Sequence, residues 1–296
     1  MRSHVRILVL MACALLAQGA FAGAVQQYSS ADSNALKKVS RKSPSPKVRS
    51  HIALVYDEQS GQPLYNKNAN VVAPIASITK LMTAMVMLDS NLPLDWEVVV
   101  EDDDLSKIRR AKSKLQLGLT LTRGELLKLA LMASANRAAS ALARSYPGGT
   151  EAMVARMNAK ARQLGMTNTH FTDPTGLDSR NVSTAQDLVK MIAAAREYPL
   201  IREYSTATSH SVENQRGRTM RFVNTNPLVR WGSWDIGLSK TGYIHESGLC
   251  LVMEVNIEQR PVIIVLLNSW GKRTRVADAN RVKQWVERNF ANTGRI

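Results

Sequence analysis

The chain has 296 residues, 45% hydrophobic and 21% charged, which excludes a disordered protein and leaves length for one large domain or two interleaved lobes. Lysines and arginines outnumber acids 39 to 24, a formal net charge of +15. That balance raises nucleic acid or an acidic polymer as a partner, and the N-terminus decides between them.

Arg2 and Arg6 precede the apolar run ILVLMACALLAQGAFA, which is short for a membrane span and ends in the small-x-small site Ala20-Phe21-Ala22. Residues 1–22 therefore read as a secretory signal cleaved after Ala22, with the periplasm as destination. A lipoprotein box around Cys13 is the competing reading, but the residues after Cys13 stay apolar where a tether would turn polar. Export removes nucleic acid from reach, so the positive charge is expected to hold the protein to phosphate- and carboxylate-bearing polymers of the envelope. After cleavage only Cys250 remains. It forms no internal disulfide, its neighbours GLCLVMEV suggest a buried strand residue, and no close-spaced histidine offers a metal partner.

Residues 23–50 are serine-rich and carry Lys37, Lys38, Arg41, Lys42, Lys47 and Arg49 against the single acid Asp32, which predicts a disordered basic arm before a folded domain over 51–296. HIALVYDEQSGQPLYNKN, from His51, alternates around Ser60-Gly61 as a β-hairpin does. PIASITKLMTAMVMLD, Pro74 to Asp89, follows as an apolar helix with Ser77 and Lys80 three residues apart on one face. A lysine desolvated by such surroundings could serve as the base for that serine. Equally, the two could belong to the polar stripe of an ordinary amphipathic helix, and the same spacing recurs at Ser269 and Lys272.

The middle of the chain reads as helical, with capping-box spacing at Thr122/Glu125 and at Ser183/Gln186. Ser-Ala-Asn, Ser134 to Asn136, falls where the first of these helices ends. WDIGLSKTGY, GLCLVMEVNI and PVIIVLLNSW read as strands, the last two joined by a short turn at Glu258 to Arg260, and RVADANRVKQWVERNF as a closing helix. Lys240-Thr241-Gly242 sits inside the first strand, where a glycine is unfavourable unless a backbone or a ligand approaches closely. Strands at both ends and helices between give an α/β (α+β) fold: an antiparallel sheet covered by helices, with a helical lobe inserted.

The order S-x-x-K, S-x-N, K-T-G resembles the penicillin-recognising serine peptidases, DD-peptidases and serine β-lactamases alike. It favours Ser77 over Ser269, which has no motif after it. The blocks PIASITKLMTAMVMLD, LLKLALMASANRAASALARSYPGG, MNAKARQLGMTNTHF, PTGL with NVSTAQDL, and LSKTGY are similar to D-alanyl-D-alanine endopeptidases of the low-molecular-mass group, the penicillin-binding protein 7 type, over residues 51 to 290. The second motif there often reads Ser-Glu-Asn, and alanine replaces its middle residue here.

The resemblance implies catalytic roles for Ser77 as nucleophile, Lys80 as its base and Ser134 as proton relay. It implies substrate binding by Asn136, Lys240, Thr241, Gly242 and Tyr243. Lys240 would depress the Lys80 pKa and hold the substrate carboxylate with Thr241, Gly242 would let the acyl chain lie against the strand, and the N–H groups of Ser77 and Tyr243 would form the oxyanion hole. No metal or cofactor is implied. The implied substrates are the D-alanyl-meso-diaminopimelate cross-links of peptidoglycan, with β-lactams as covalent inhibitors. No membrane anchor is expected, because little chain follows Phe290.

Three rivals are weaker. A Ser-His-Asp hydrolase lacks G-x-S-x-G, and histidines 51, 170, 210 and 245 lack a nucleophile signature. A common-class β-lactamase would carry Glu-x-x-Leu-Asn, whereas the matching DPTGLDSRN offers only Asp173, read as a turn residue. A wall-binding protein without activity would have lost part of the constellation. Within the family, removal of terminal D-alanine is the alternative to cutting cross-links.

Overall fold

The computed structural model describes residues 44–104, 114–214 and 216–290. The expected signal sequence and most of the expected basic arm lie outside them. All described residues belong to one compact unit.

The two ends of this unit build a single antiparallel sheet. Strands β1 (Ile52–Asp57) and β2 (Gln62–Lys67) form the expected hairpin, and β9 (Asp235–Ile244), β10 (Gly248–Ile257) and β11 (Arg260–Ser269) form a meander. The order β2-β1-β11-β10-β9 makes β11 central and β9 an edge. Glu258 and Gln259, both at positive φ, turn β10 into β11.

Val262 to Leu267 on β11 are all fully buried, which requires cover on both faces of the sheet. Alternation separates the faces. Ile263, Val265 and Leu267 belong to the main core with Leu54 of β1 and Ile192 of the helix Ala185–Ala195. Val262, Ile264 and Leu266 point the other way, where the closing helix Thr274–Phe290 packs with Val282 and Val286.

Between β2 and β9 the chain forms the helical lobe. In order come α1 (Lys80–Asp89), α2 (Arg123–Met132), α3 (Asn136–Arg144), α4 (Gly149–Gln163), α5 (Ala185–Ala195), α6 (Pro199–Thr206) and α7 (Pro227–Trp231); α8 is Thr274–Phe290. Three two-stranded pairs, β3 (Ala73–Pro74) with β6 (Val182–Ser183), β4 (Glu97–Val99) with β5 (Thr120–Thr122), and β7 (Ser209–Glu213) with β8 (Thr219–Val223), complete it. Every residue from Ala76 to Met87 is buried, as an apolar sequence on all sides of a helix demands. Truncating Met85 there would cost about 2–5 kcal/mol.

Three expectations are corrected. The arm does not extend to residue 50. Pro46, Val48 and Ser50 are buried, and the backbone N–H groups of Arg49 and Ser50 donate to the carboxylate of Asp278 on α8. Helix α5 is capped by Thr184, whose hydroxyl accepts from the Asp187 N–H at 3.1 Å, rather than by Ser183. Ser183 pairs with Ala73 in β6 and shares a hydrogen bond with the Thr169 hydroxyl, so its oxygen is committed elsewhere. Helix α1 begins at Lys80, because Ala76–Thr79 form a 3-10 turn. The capping box at Thr122 and Glu125 is present as expected.

Candidate active site

The 3-10 turn carries Ser77, and α1 begins with Lys80 on the next step of the spiral. Ala76, just before the serine, has φ +47. For a residue with a Cβ that conformation costs on the order of 1–2 kcal/mol, so surrounding contacts must impose it. They come from two directions. Strand β9 packs on the turn through Gly242, where a Cβ would meet Ile75 O at 2.9 Å and Ser77 N at 3.2 Å. The loop after α4 brings Gly176, whose Cβ would fall 1.9 Å from Ala76 O. Thus the close approach at Gly242 is made by the backbone that bears Ser77, a tighter constraint than room for an acyl chain.

Lys80 is 1% exposed and its amine reaches three oxygens: Ser77 Oγ at 2.8 Å, Asn136 Oδ1 at 2.7 Å and the Thr175 carbonyl at 2.6 Å. Burial lowers its pKa to about 7, while the charge of Asp173 pulls it up. A lysine with that pKa is neutral in a substantial fraction of molecules near pH 7, and a neutral amine can take the serine proton.

Helix α2 ends at Met132, and Ser134 turns the chain with φ +56 before α3 opens at Asn136. This is the helix end and turn expected for Ser-Ala-Asn. The Ser134 hydroxyl accepts from Lys240 Nζ at 2.9 Å, and Lys240 also donates to the Thr241 carbonyl. Lys240 is as buried as Lys80; burial, then the charges of Lys80 and Arg275, hold its pKa well below the ordinary lysine value. Burial is the first cause of the low Lys80 pKa, and the Lys80–Lys240 repulsion acts on the same pair of buried amines.

All eight expected residues therefore gather at the junction of β9, the nucleophile turn and the α2–α3 connection. Thr241 is buried with its hydroxyl 2.6 Å from that of Thr225, whereas Tyr243 is 60% exposed on the outer edge. Ser269 is elsewhere: 1% exposed and hydrogen-bonded to Ser50 at 2.6 Å. Lys272 follows it outside any helix, so the second S-x-x-K never acquires helical geometry.

The sequence residues D-alanyl-D-alanine carboxypeptidases share are matched over 38–271 of this chain, and this span takes in all three motifs. The chain belongs to the D-alanyl-D-alanine carboxypeptidase family, peptidase S11. It is accordingly a serine hydrolase. A D-alanyl-D-alanine endopeptidase of Pseudomonas aeruginosa is 48% identical over 236 residues, 79% of this chain and 76% of that protein. One from Escherichia coli K12 is 44% identical over 243 residues, 82% and 78% of the two chains. The fold matches the Streptomyces K15 DD-transpeptidase with a TM-score of 0.76 at 29% identity, over 84% of this chain and all of that one. A D-alanyl-D-alanine carboxypeptidase from Mycobacterium tuberculosis H37Rv matches at 0.75 with 31% identity, over 83% and 94%.

Four participants escape a reading of motifs. Thr225 reaches Thr241, and Arg275 on α8 donates to the carbonyls of Gly242 and Cys250, tying the K-T-G strand to its neighbour. Thr175 and Asp173 come from the loop read only as a turn. Asp-Pro-Thr-Gly does carry a turn signal, but nothing local says that its carbonyl will face Lys80. Cys250 is fully buried on β10, as expected. Among the described residues no group of metal-binding side chains is found.

Proposed function

We propose that this chain is a periplasmic serine DD-endopeptidase that hydrolyses D-alanyl-meso-diaminopimelate cross-links of peptidoglycan and is acylated by β-lactams at Ser77. The observation that carries this reading is the contact of a buried, low-pKa Lys80 amine with Ser77 Oγ.

Neutral Lys80 takes the proton as Ser77 Oγ attacks the D-alanyl carbonyl. The oxyanion accepts hydrogen bonds from the N–H groups of Ser77 and Tyr243. As the C–N bond breaks, Ser134, whose hydroxyl Lys240 holds, gives its proton to the leaving amine and is reprotonated by the Lys80 ammonium, which returns to the neutral base. Water then attacks the acyl-enzyme: its proton passes to the base, the ester bond breaks and Ser77 recovers its hydroxyl. Asn136 uses its oxygen on Lys80, leaving its amide Nδ2 to orient the substrate's backbone carbonyl. Lys240 and Thr241 serve the free carboxylate beside the scissile bond. Gly242 keeps β9 close enough for these groups to act together.

The names of the two most similar relatives reported above support cutting cross-links; the family description favours removing terminal D-alanine. Both bonds offer a D-alanyl carbonyl next to a carboxylate-bearing D-centre. The basic composition favours the insoluble anionic wall over a soluble peptide. No helix among the described residues is long and apolar enough to cross a membrane, consistent with an enzyme held to the wall by charge.

The test compares purified enzyme on cross-linked muropeptide dimers and on monomeric pentapeptides. Conversion of dimers to monomers is the expected result. Release of D-alanine from pentapeptides with dimers intact would establish the carboxypeptidase instead, and no hydrolysis with no acylation would leave only wall binding.

A further inference from the structure

The loop Asp173–Asn181 holds the nucleophile turn more extensively than any of the three motifs. The Asn181 carbonyl accepts from the Ile75 N–H at 3.1 Å, its side-chain amide donates to Thr79 Oγ1 at 3.1 Å, and the Pro174 carbonyl accepts from Thr83 Oγ1 at 2.7 Å. Gly176 lies on Ala76, and the Thr175 carbonyl meets Lys80. One side chain organises the loop. Asp173 Oδ1 accepts from the N–H groups of Thr175 and Gly176 and from Asn181 Nδ2, and Oδ2 accepts from Thr175 Oγ1 and the Asp178 N–H. Its lone pairs are taken up, so it is not placed to act as a base on water.

We propose that Asp173 is a positioning residue for acyl transfer, fixing the Thr175 carbonyl against Lys80 so that the lysine lone pair can point only at Ser77. A neutral amine has two N–H donors and one lone pair. Of its three neighbours, the Thr175 carbonyl and Asn136 Oδ1 can only accept, while the Ser77 hydroxyl can donate. Satisfying the two acceptors aims the lone pair at the serine proton. Without the Thr175 carbonyl, the amine could rotate and donate to Ser77 instead, an orientation that does no chemistry.

The charged groups around Lys80 set a second signature. Asp173 faces it from the loop, Lys240 from β9 with Arg275 behind on α8, and Asp178 is engaged by Arg180. On α3, Arg137 donates to the Leu115 carbonyl. Asp173 is the carboxylate that raises the Lys80 pKa, so its neutralisation should let that pKa fall further.

This inference rests on Ser77 acylation, and the experiment separates the two. Acylation by a fluorescent penicillin is followed against pH for the wild-type chain, Asp173→Asn and Thr175→Val, with thermal unfolding and circular dichroism for each. Absence of acylation in the wild type would overturn the proposed function itself. With the wild type active, Asp173→Asn is expected to acylate on the order of 10- to 100-fold more slowly at its plateau, with the acid limb moved to lower pH. A folded Asp173→Asn with a wild-type plateau, or with a slower plateau and an unmoved limb, would overturn the proposal. Should Asp173→Asn not fold, Thr175→Val decides. It removes one of the bonds to Asp173 but keeps the charge; slower acylation in the folded variant supports the role, and a wild-type rate overturns it.

Discussion

Lys240 on the edge strand donates to the Ser134 hydroxyl at 2.9 Å, joining residues 106 apart in sequence. The contact places the Lys240 amine on the serine proposed to deliver a proton to the leaving amine, and it ties the helical lobe to the sheet. Replacing Lys240 with Met should therefore both raise the apparent binding constant for carboxylate-bearing substrates and slow acylation. Lys80→Met should slow acylation with much less effect on initial binding, because it removes the base and leaves the carboxylate contacts. Pre-steady-state kinetics with a chromogenic β-lactam resolves binding from acylation for both.

Acylation of the wild-type enzyme should rise with pH to half its plateau near 7. The sign follows from Lys80, whose ammonium must lose a proton before it can accept one from Ser77, and whose pKa burial lowers to about 7. A limb near the ordinary lysine value, above 10, would mean that the amine is not desolvated in solution.

Two serines in the same spacing should respond in opposite ways. Ser77→Ala should abolish penicillin labelling without loss of fold. Ser269→Ala should keep labelling but lower the melting temperature, by the equivalent of about 1 kcal/mol, since its hydroxyl bonds Ser50 within the Asp278 cluster. A labelling gel and a thermal melt on the two variants check both halves.

Asp278 is fully buried, accepts from the N–H groups of Arg49 and Ser50 and from the Ser50 hydroxyl, and pairs with Arg281 at 2.5 Å. Asp278→Ala strands these donors and should cost about 1–3 kcal/mol. Trimming the chain at residue 51 should cost a similar part of the stability, whereas trimming only as far as residue 43 should not. Denaturant midpoints of the three proteins test this.

Gly176→Ala should be more damaging than Gly242→Ala. At Gly176 a Cβ would sit 1.9 Å from a backbone oxygen and φ is +82, so neither space nor backbone tolerates it; at Gly242 the nearest atom is at 2.9 Å and no positive φ is required. Loss of soluble folded protein is expected for the first, and folded protein with impaired acylation for the second. Expression yield and labelling distinguish them.

The sequence by itself determined the parts whose cause is local. Alternation around the turn in HIALVYDEQSGQPLYNKN, and the short apolar β-branched runs near the C-terminus, specify strands, because both signals need only neighbours in the chain. Thr122 and Glu125 specify a helix start for the same reason, and the order of S-x-x-K, S-x-N and K-T-G selects, out of two serines, the one that the structure sets beside a buried lysine. At Ser183 the capping-box spacing pointed one residue too early, because the tertiary pairing of β3 with β6 takes that residue and Thr184 caps the helix. Likewise Arg49 and Ser50 look like the end of a polar arm until Asp278, far along the chain, offers a buried carboxylate. Only the tertiary structure decided the state of Lys80. Its pKa depends on how completely α1 is enclosed and on a charge at Asp173, and its amine meets a carbonyl from Thr175, all contributed by segments distant in sequence. Desolvation is a property of the packed interior, and no spacing of letters encodes how much water a side chain will lose.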